Sequence, residues 1–216
     1  MQTKKKPHHF SLLPLLLSFL SLHAAAVAVA KDGRSLISFK AALPNPPPLL
    51  SNWLPNKDPC SFNGVKCQGL AANRVSAVDL SFSPLSANFH TVAKFLLSID
   101  SLESLTLQSA NVSRSIAFPP GSKCSSVLTN LDLSTNSLSG PVSDVSGLAA
   151  CPGLKSLNLS GNALDFSLKE KWNGGLKIVA GLESLDLSWN DMFDEFSRRG
   201  RCRRWISGAL FFINGL

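Results

Sequence analysis

Leucines recur along this chain at a spacing that neither common element explains. In "LTNLDLSTNSLSGPV" (128–142) they stand at Leu128, Leu131, Leu133 and Leu138, with Asn136 between them and Gly140-Pro141 after. A helix would repeat its apolar positions every three or four residues, and a half-buried strand would alternate for longer than Leu131-Asp132-Leu133 does. The frame returns as "LESLTLQSANV" from Leu102, "LKSLNLSGNAL" from Leu154 and "LESLDLSWNDM" from Leu182, with a weaker copy "VSAVDLSFSPL" from Val75. Taking the central apolar residue as marker, Val78, Leu105, Leu131, Leu157 and Leu185 are separated by 27, 26, 26 and 28 residues.

Steps of that size fall in the range of roughly 20 to 29 residues that defines leucine-rich repeats. The expected fold class is therefore α/β: a leucine-rich repeat solenoid of about five coils, with short parallel strands on its concave face. The central pair of each coil, such as Leu131 and Leu133, points inward, and the residue between, Asp132, points outward. No coil buries its apolar set alone, so stacking supplies the core. Asn136, Asn162 and Asn190 stand five residues after their markers, where the chain turns inward and buries backbone polar groups. An amide with two donors and an acceptor can satisfy them, so these three are expected to form an asparagine ladder reaching the coils above and below. Ser83 and Ala110 occupy that position in the first two coils, where the ladder should weaken.

The ends of the chain read differently. Lys4-Lys5-Lys6, an apolar run from Phe10 to about Leu22 and the small-residue stretch "AAAVAVA" ending at Ala30 have the order of a secretory signal peptide over residues 1–30. The apolar run is too short for a good membrane span. Residues 31–72 read as an N-terminal cap, 73–193 as the repeats, and 194–216 as a basic and apolar tail outside the pattern. In the cap, "KDGRSLISFKAAL" puts Leu36, Phe39 and Leu43 at helical spacing behind a possible N-cap, Asp32, and "PNPPP" stops the helix. Cys60 and Cys67 flank the point where the first coil's apolar end would meet water, and are expected to form a disulfide.

The net charge of +7 suggests nucleic acid until it is located. Three of the 21 basic residues are Lys4 to Lys6 and five are Arg198, Arg199, Arg201, Arg203 and Arg204, which leaves 13 basic and 14 acidic residues in the body. No basic face for phosphate neutralisation remains, and no nucleic-acid partner is expected. Of four histidines, His8, His9 and His23 lie in the signal segment and only His90 in the body. No metal, cofactor or catalytic constellation is expected, and hence no enzyme.

The run "LISFKAAL", the Trp-bearing linker, the Asp-Pro-Cys and Gly-Val-x-Cys cap and coils of the form "LDLSTNSLSGPV" resemble the extracellular part of plant leucine-rich repeat receptor-like kinases. "LLSNWLPNKDPCSFNGVKC", "LESLTLQSANVS" and "LSGPVSDVS" resemble the N-terminal part of the brassinosteroid receptor kinases. The resemblance covers about residues 31–190. It implies a non-catalytic extracellular recognition module, secreted or facing outward at the plasma membrane, that meets a protein or peptide partner through its concave face. The alternative is a truncated receptor fragment without autonomous activity, or a decoy for the full-length receptor. The non-repeat island that helps hold the steroid in such receptors, the membrane span and the kinase motifs have no counterpart in these residues, so no steroid binding is expected from this chain alone.

Two further features carry chemistry. Cys124 and Cys151 are one coil period apart, which fits either a bridge between neighbouring coils or two free buried thiols; Cys202 is the odd cysteine. Asn111 ("NVS") and Asn158 ("NLS") are glycosylation candidates, the first in a bend and the second on the concave face. The tail reads either as a membrane-associating segment, too short to span, or as non-homologous sequence.

Overall fold

The computed structural model describes residues 29–69, 73–167, 181–193 and 210–211. The expected signal segment up to residue 28, Cys202 and almost all of the tail lie outside them. The structure begins with a helix, α1, over residues 29–41. Leu36, Phe39 and Leu43 are buried on one side of this segment, and the proline-rich stretch that follows cannot continue it. A 3-10 turn at Pro48–Asn52 leads to Trp53, which is fully buried and stacks on Phe62 with ring centroids 5.6 Å apart. The Trp53 indole Nε1 donates to the Asn63 carbonyl at 2.9 Å, so its polar edge is satisfied. Strand β1 (Val65–Gln68) then pairs antiparallel with β2 (Arg74–Asp79). A disulfide between Cys60 and Cys67, with Cα atoms 5.5 Å apart, ties the turn before β1 to the strand itself.

From β2 to β9 every new concave strand is parallel to the last. Strands β3 (Ser104–Thr106), β5 (Asn130–Asp132), β7 (Ser156–Asn158) and β9 (Ser184–Asp186) follow β2 in one sheet. The marker residues lie opposite one another in register: Val78 with Leu105, Leu105 with Leu131, Leu131 with Leu157 and Leu157 with Leu185. Unequal repeat lengths are therefore absorbed outside the strands. Both inward leucines of each of these coils are essentially inaccessible, from Leu105 and Leu107 to Leu185 and Leu187. Short helices occupy the other side of the coils, α2 (Phe89–Phe95) and α3 (Val142–Val145). Asn88 caps α2, its Oδ1 accepting from the Thr91 amide at 2.8 Å.

A second sheet was not legible in the repeat. Strands β4 (Ser113–Ser115), β6 (Ser137–Pro141), β8 (Ala163–Ser167) and β10 (Asp191–Phe193) pair in parallel, in the order β10-β8-β6-β4. They follow the inward turn, and Leu138 and Leu164 reach the core from them. After the concave strand of each coil the backbone takes a left-handed residue, at Phe82, Ser109, Thr135, Gly161 and Trp189, with φ between 51° and 65°, and in the last four of these coils a strand of the second sheet follows. There that residue turns the chain from one sheet to the other. Beyond β9, Leu210–Phe211 (β11) adds as an antiparallel strand, Leu210 opposite Asp186 and Phe211 opposite Leu185.

The asparagine side chains sit at this turn, with one difference from the sequence reading. Asn162 Nδ2 donates to Leu159 O and Ser160 O of its own coil and to Leu133 O of the preceding coil, while its Oδ1 accepts from the Leu138 amide. Asn136 and Asn190 repeat the arrangement. Each amide thus serves its own coil and the coil before it, not the coils on both sides, because the next turn places its own asparagine there. Cys124 and Cys151 form a disulfide between the segments that approach β5 and β7, with Cα atoms 5.0 Å apart.

Asp32 also departs from its expected role. It lies inside α1, not at its N-cap, and its carboxylate is 1% exposed. Arg74, the first residue of β2, grips it with two bonds, Nε to Oδ2 at 2.7 Å and Nη2 to Oδ1 at 2.8 Å, and the Val75 amide adds a third at 3.3 Å. Arg74 also meets Asp100, which pairs with Lys31 at 3.0 Å. A charge this deeply buried is tolerable only when fully paired, so cap and first coil are clamped together. Partial burial works to raise the Asp100 carboxyl, but hydrogen bonds from Lys31 and Arg74 outweigh it and hold it below the usual carboxylate range.

A carboxyl lowered in the folded state contributes stability that is present above its unfolded pKa of about 3.9 and is lost as pH falls through the folded value. The melting temperature should therefore drop on acidification below about pH 4, and Asp100→Asn should remove part of that drop; an acid series of thermal melts on both proteins checks it. Leu157→Ala opens a cavity at the centre of the core and should cost about 2 to 5 kcal/mol in a denaturant titration.

Candidate functional site

The outward side chains of the concave strands form two parallel rows. One runs Ala77, Ser104, Asn130, Ser156, Ser184 and the other Asp79, Thr106, Asp132, Asn158, Asp186, aligned by the strand register. All are small or short polar residues, and no lysine or arginine stands among them. The sequence reading made Asp132 a plain surface residue, yet it is half-buried and its Oδ1 accepts from the Ser134 amide at 2.9 Å. Asp79 does the same with Ser81, Asn158 with Ser160 and Asp186 with Ser188. An Asp or Asn that accepts from the amide two residues on makes a self-bonded turn, and here it bends the chain out of the strand. The signal in the sequence was Leu/Val-Asp/Asn-Leu-Ser, present in four of five coils.

These bonds fix the side chains before any partner arrives. Asn158 Nδ2 also donates to Asp132 Oδ2 of the preceding coil at 3.3 Å, and Asn130 Nδ2 to Ser104 Oγ at 3.2 Å. Over β5, β7 and β9 the rows line a half-open cavity of about 230 Å³, formed by Asn130, Asp132, Ser156, Asn158, Ser184 and Asp186 with Leu157 and Leu185 between them. At the margin Lys155 pairs with Glu183 at 2.8 Å, which raises the lysine above its ordinary value, and Glu103 meets Gln68. The face is rich in acceptors. It can hold polar or cationic groups by hydrogen bonds; it offers no nucleophile and base in contact. Among the described residues no group of three or more His, Cys, Asp or Glu side chains converges as a metal site.

The other sequence-derived residues lie apart from this face. Asn111 is exposed in a bend, with φ of 55°, and its Nδ2 donates to Ser86 Oγ at 3.0 Å. His90 is exposed on α2. The residues that sequence reasoning missed are Phe82 and Trp189, 73% and 69% exposed at the rim between the sheets. They take the left-handed conformation, which disfavours side chains with a Cβ by about 1 to 2 kcal/mol, and nothing buries their rings in return.

Asp132→Ala removes the acceptor of the Ser134 amide and of Asn158, so it should cost about 0.5 to 1.5 kcal/mol, well below the loss at Leu157. Equilibrium unfolding of the two variants side by side reads the difference.

Comparison with known proteins places this architecture. Residues 29–68 match the leucine rich repeat N-terminal domain family. The systemin receptor SR160 of Solanum peruvianum is 46% identical over 181 residues, covering 82% of this chain and 14% of the receptor. Protein BRASSINOSTEROID INSENSITIVE 1 of Arabidopsis thaliana is 46% identical over 178 residues, with 81% and 14% covered. The chain thus spans about one-seventh of the length of these relatives. Among solved structures, the ectodomain of the Arabidopsis thaliana receptor kinase GASSHO1/SCHENGEN3, in complex with CASPARIAN STRIP INTEGRITY FACTOR 2, superposes with a TM-score of 0.56 at 25% identity, over 74% of this chain and 18% of that one. That of the Arabidopsis receptor kinase HAESA, in complex with an extended IDA peptide hormone, gives 0.52 at 26%, over 76% and 30%. The cap and repeats thus share the leucine-rich repeat fold of plant receptor kinase ectodomains, and most of the chain is similar to the N-terminal region of the brassinosteroid and systemin receptor kinases.

Proposed function

We propose that this chain is an extracellular recognition module without catalysis, exported through the signal segment 1–30, which meets a protein or peptide partner on its concave face. The observation that carries the reading is the pair of outward rows, in which Asp79, Asp132, Asn158 and Asp186 are held by their own turns. Such a surface loses little side-chain entropy on binding. Two of the structurally similar ectodomains are complexes with a peptide hormone and with CASPARIAN STRIP INTEGRITY FACTOR 2, which is the kind of partner this reading implies. Among the described residues no helix is long and apolar enough to cross a membrane. Residues 31–72 act as the cap and 73–193 as the repeats that present the face.

Steroid perception is not part of the proposal. Small-molecule sites are mostly apolar and occupy about 300 to 1,000 Å³, whereas the concave cavity is polar and holds about 230 Å³. A rigid apolar ring system would leave its acceptors unpaired.

Purified secreted protein, labelled and applied to plant cell surfaces, is expected to bind saturably. Ala77→Arg with Thr106→Arg, outward positions of β2 and β3, is expected to abolish that binding while the protein stays folded by circular dichroism. Equal binding by both proteins removes the concave face from the proposal. Calorimetry with a brassinosteroid is expected to give no saturable heat at micromolar concentration or below.

A further inference from the structure

Asn158 belongs to two features at once. It is the acceptor of the Asn158-Leu159-Ser160 sequon, and it lies at the middle of the concave cavity, on β7 between β5 and β9. We propose that the cavity is the seat of the chain's own N-linked sugar: Asn158 carries a glycan whose first N-acetylglucosamine ring rests among Asn130, Asp132, Ser156, Ser184 and Asp186.

The amide can take the sugar at little structural cost. Its Oδ1 accepts from the Ser160 amide at 3.1 Å and from Ser160 Oγ at 2.8 Å, and the modification leaves this oxygen untouched. Its Nδ2 makes one bond, to Asp132 Oδ2 at 3.3 Å, and has two hydrogens. In the transfer, a bond forms between Nδ2 and the anomeric carbon of a lipid-diphosphate-linked oligosaccharide. The bond from that carbon to the diphosphate oxygen breaks, the lipid diphosphate leaves, and one Nδ2 proton passes to the transferring enzyme's base. One N–H remains for Asp132. Leu157 and Leu159 on either side point inward and are buried, so the added group is directed out of the core, over the strands.

The cavity suits a sugar ring in size and chemistry. At about 230 Å³ it is smaller than the usual small-molecule site, and its lining alternates hydroxyls, amides and carboxylates, which pair with hydroxyl and acetamido groups. Asn111 provides an internal contrast: it is exposed in a bend and lines no cavity. Glycan at Asn158 also divides the concave face. The outward positions of β5, β7 and β9 are covered, and Ala77, Asp79, Ser104 and Thr106 of β2 and β3 stay open. This last consequence rests on the proposed partner-binding role, whereas the seating of the sugar does not.

The test uses full-length chain secreted from a glycosylating plant host, with peptide mapping by mass spectrometry and enzymatic glycan release from the folded protein. Glycan is expected on Asn158, and its release is expected to be at least about tenfold slower than release from Asn111, the ratio that about 1.4 kcal/mol of sugar contact produces. Denaturation should equalise the two. Asp186→Ala, which removes a lining carboxylate without touching the sequon, should raise the release rate at Asn158 in the folded protein. An unmodified Asn158, equal release from both sites in the folded protein, or a rate indifferent to Asp186→Ala overturns the proposal. The cell-surface binding measurement is independent of these readouts, so its failure and theirs are distinguishable.

Discussion

A buried turn must find partners for its backbone, and the whole solenoid depends on how that is done. Each coil folds inward after its concave strand, carrying carbonyls and amides such as Leu133 O and Leu138 N away from water. Left unpaired, each would cost about 1 to 3 kcal/mol. In the last three coils a single asparagine meets several of these needs and, because it reaches back to the coil before, ties each turn to the preceding one. Leucine burial supplies the driving force, but it is nondirectional; the amides decide that the coils stack at one height and in one register. In the first two coils, where Ser83 and Ala110 replace asparagine, Asn136 still serves the second coil through the Ala110 and Val112 amides.

How much of this is legible in sequence depends on whether a residue's role is repeated. The leucine frame appears five times, so the strand positions, their inward side and their register could be read, and residues such as Leu131 and Leu157 stand where the period puts them. The direction of the ladder could not: an amide has donors and an acceptor for either neighbour, and only the sense of the stack selects the preceding coil. The second sheet was hidden because its strands are short and lack alternation, Ser113–Ser115 carrying no apolar residue at all. Asp32 was misread since an acid near a helix start has the look of a cap. Its true partner, Arg74, is 42 residues away, and nothing local announces it.

The candidate site was legible in outline and obscure in its detail. That the residue between two leucines faces outward follows from strand geometry alone. That four of those residues bond the amide two positions later required the turn to be seen. The same turns hold Asp79, Asp132, Asn158 and Asp186 in place and, at Asn158, join an outward row to an N-x-S sequon.

The short antiparallel hairpin at the start of the sheet has a bearing on how copies of this protein meet one another. A row of parallel strands exposes unpaired amides and carbonyls along its first edge, a template on which another chain could pair. Here that edge is β1, only four residues long, broken in register between Lys66 and Cys67 and carrying the exposed charge of Lys66. A kinked, charged, brief strand is a poor surface for continuation. The hairpin therefore acts against fibrillar association between copies, a service to solubility that leaves no trace in the energetics of the folded chain.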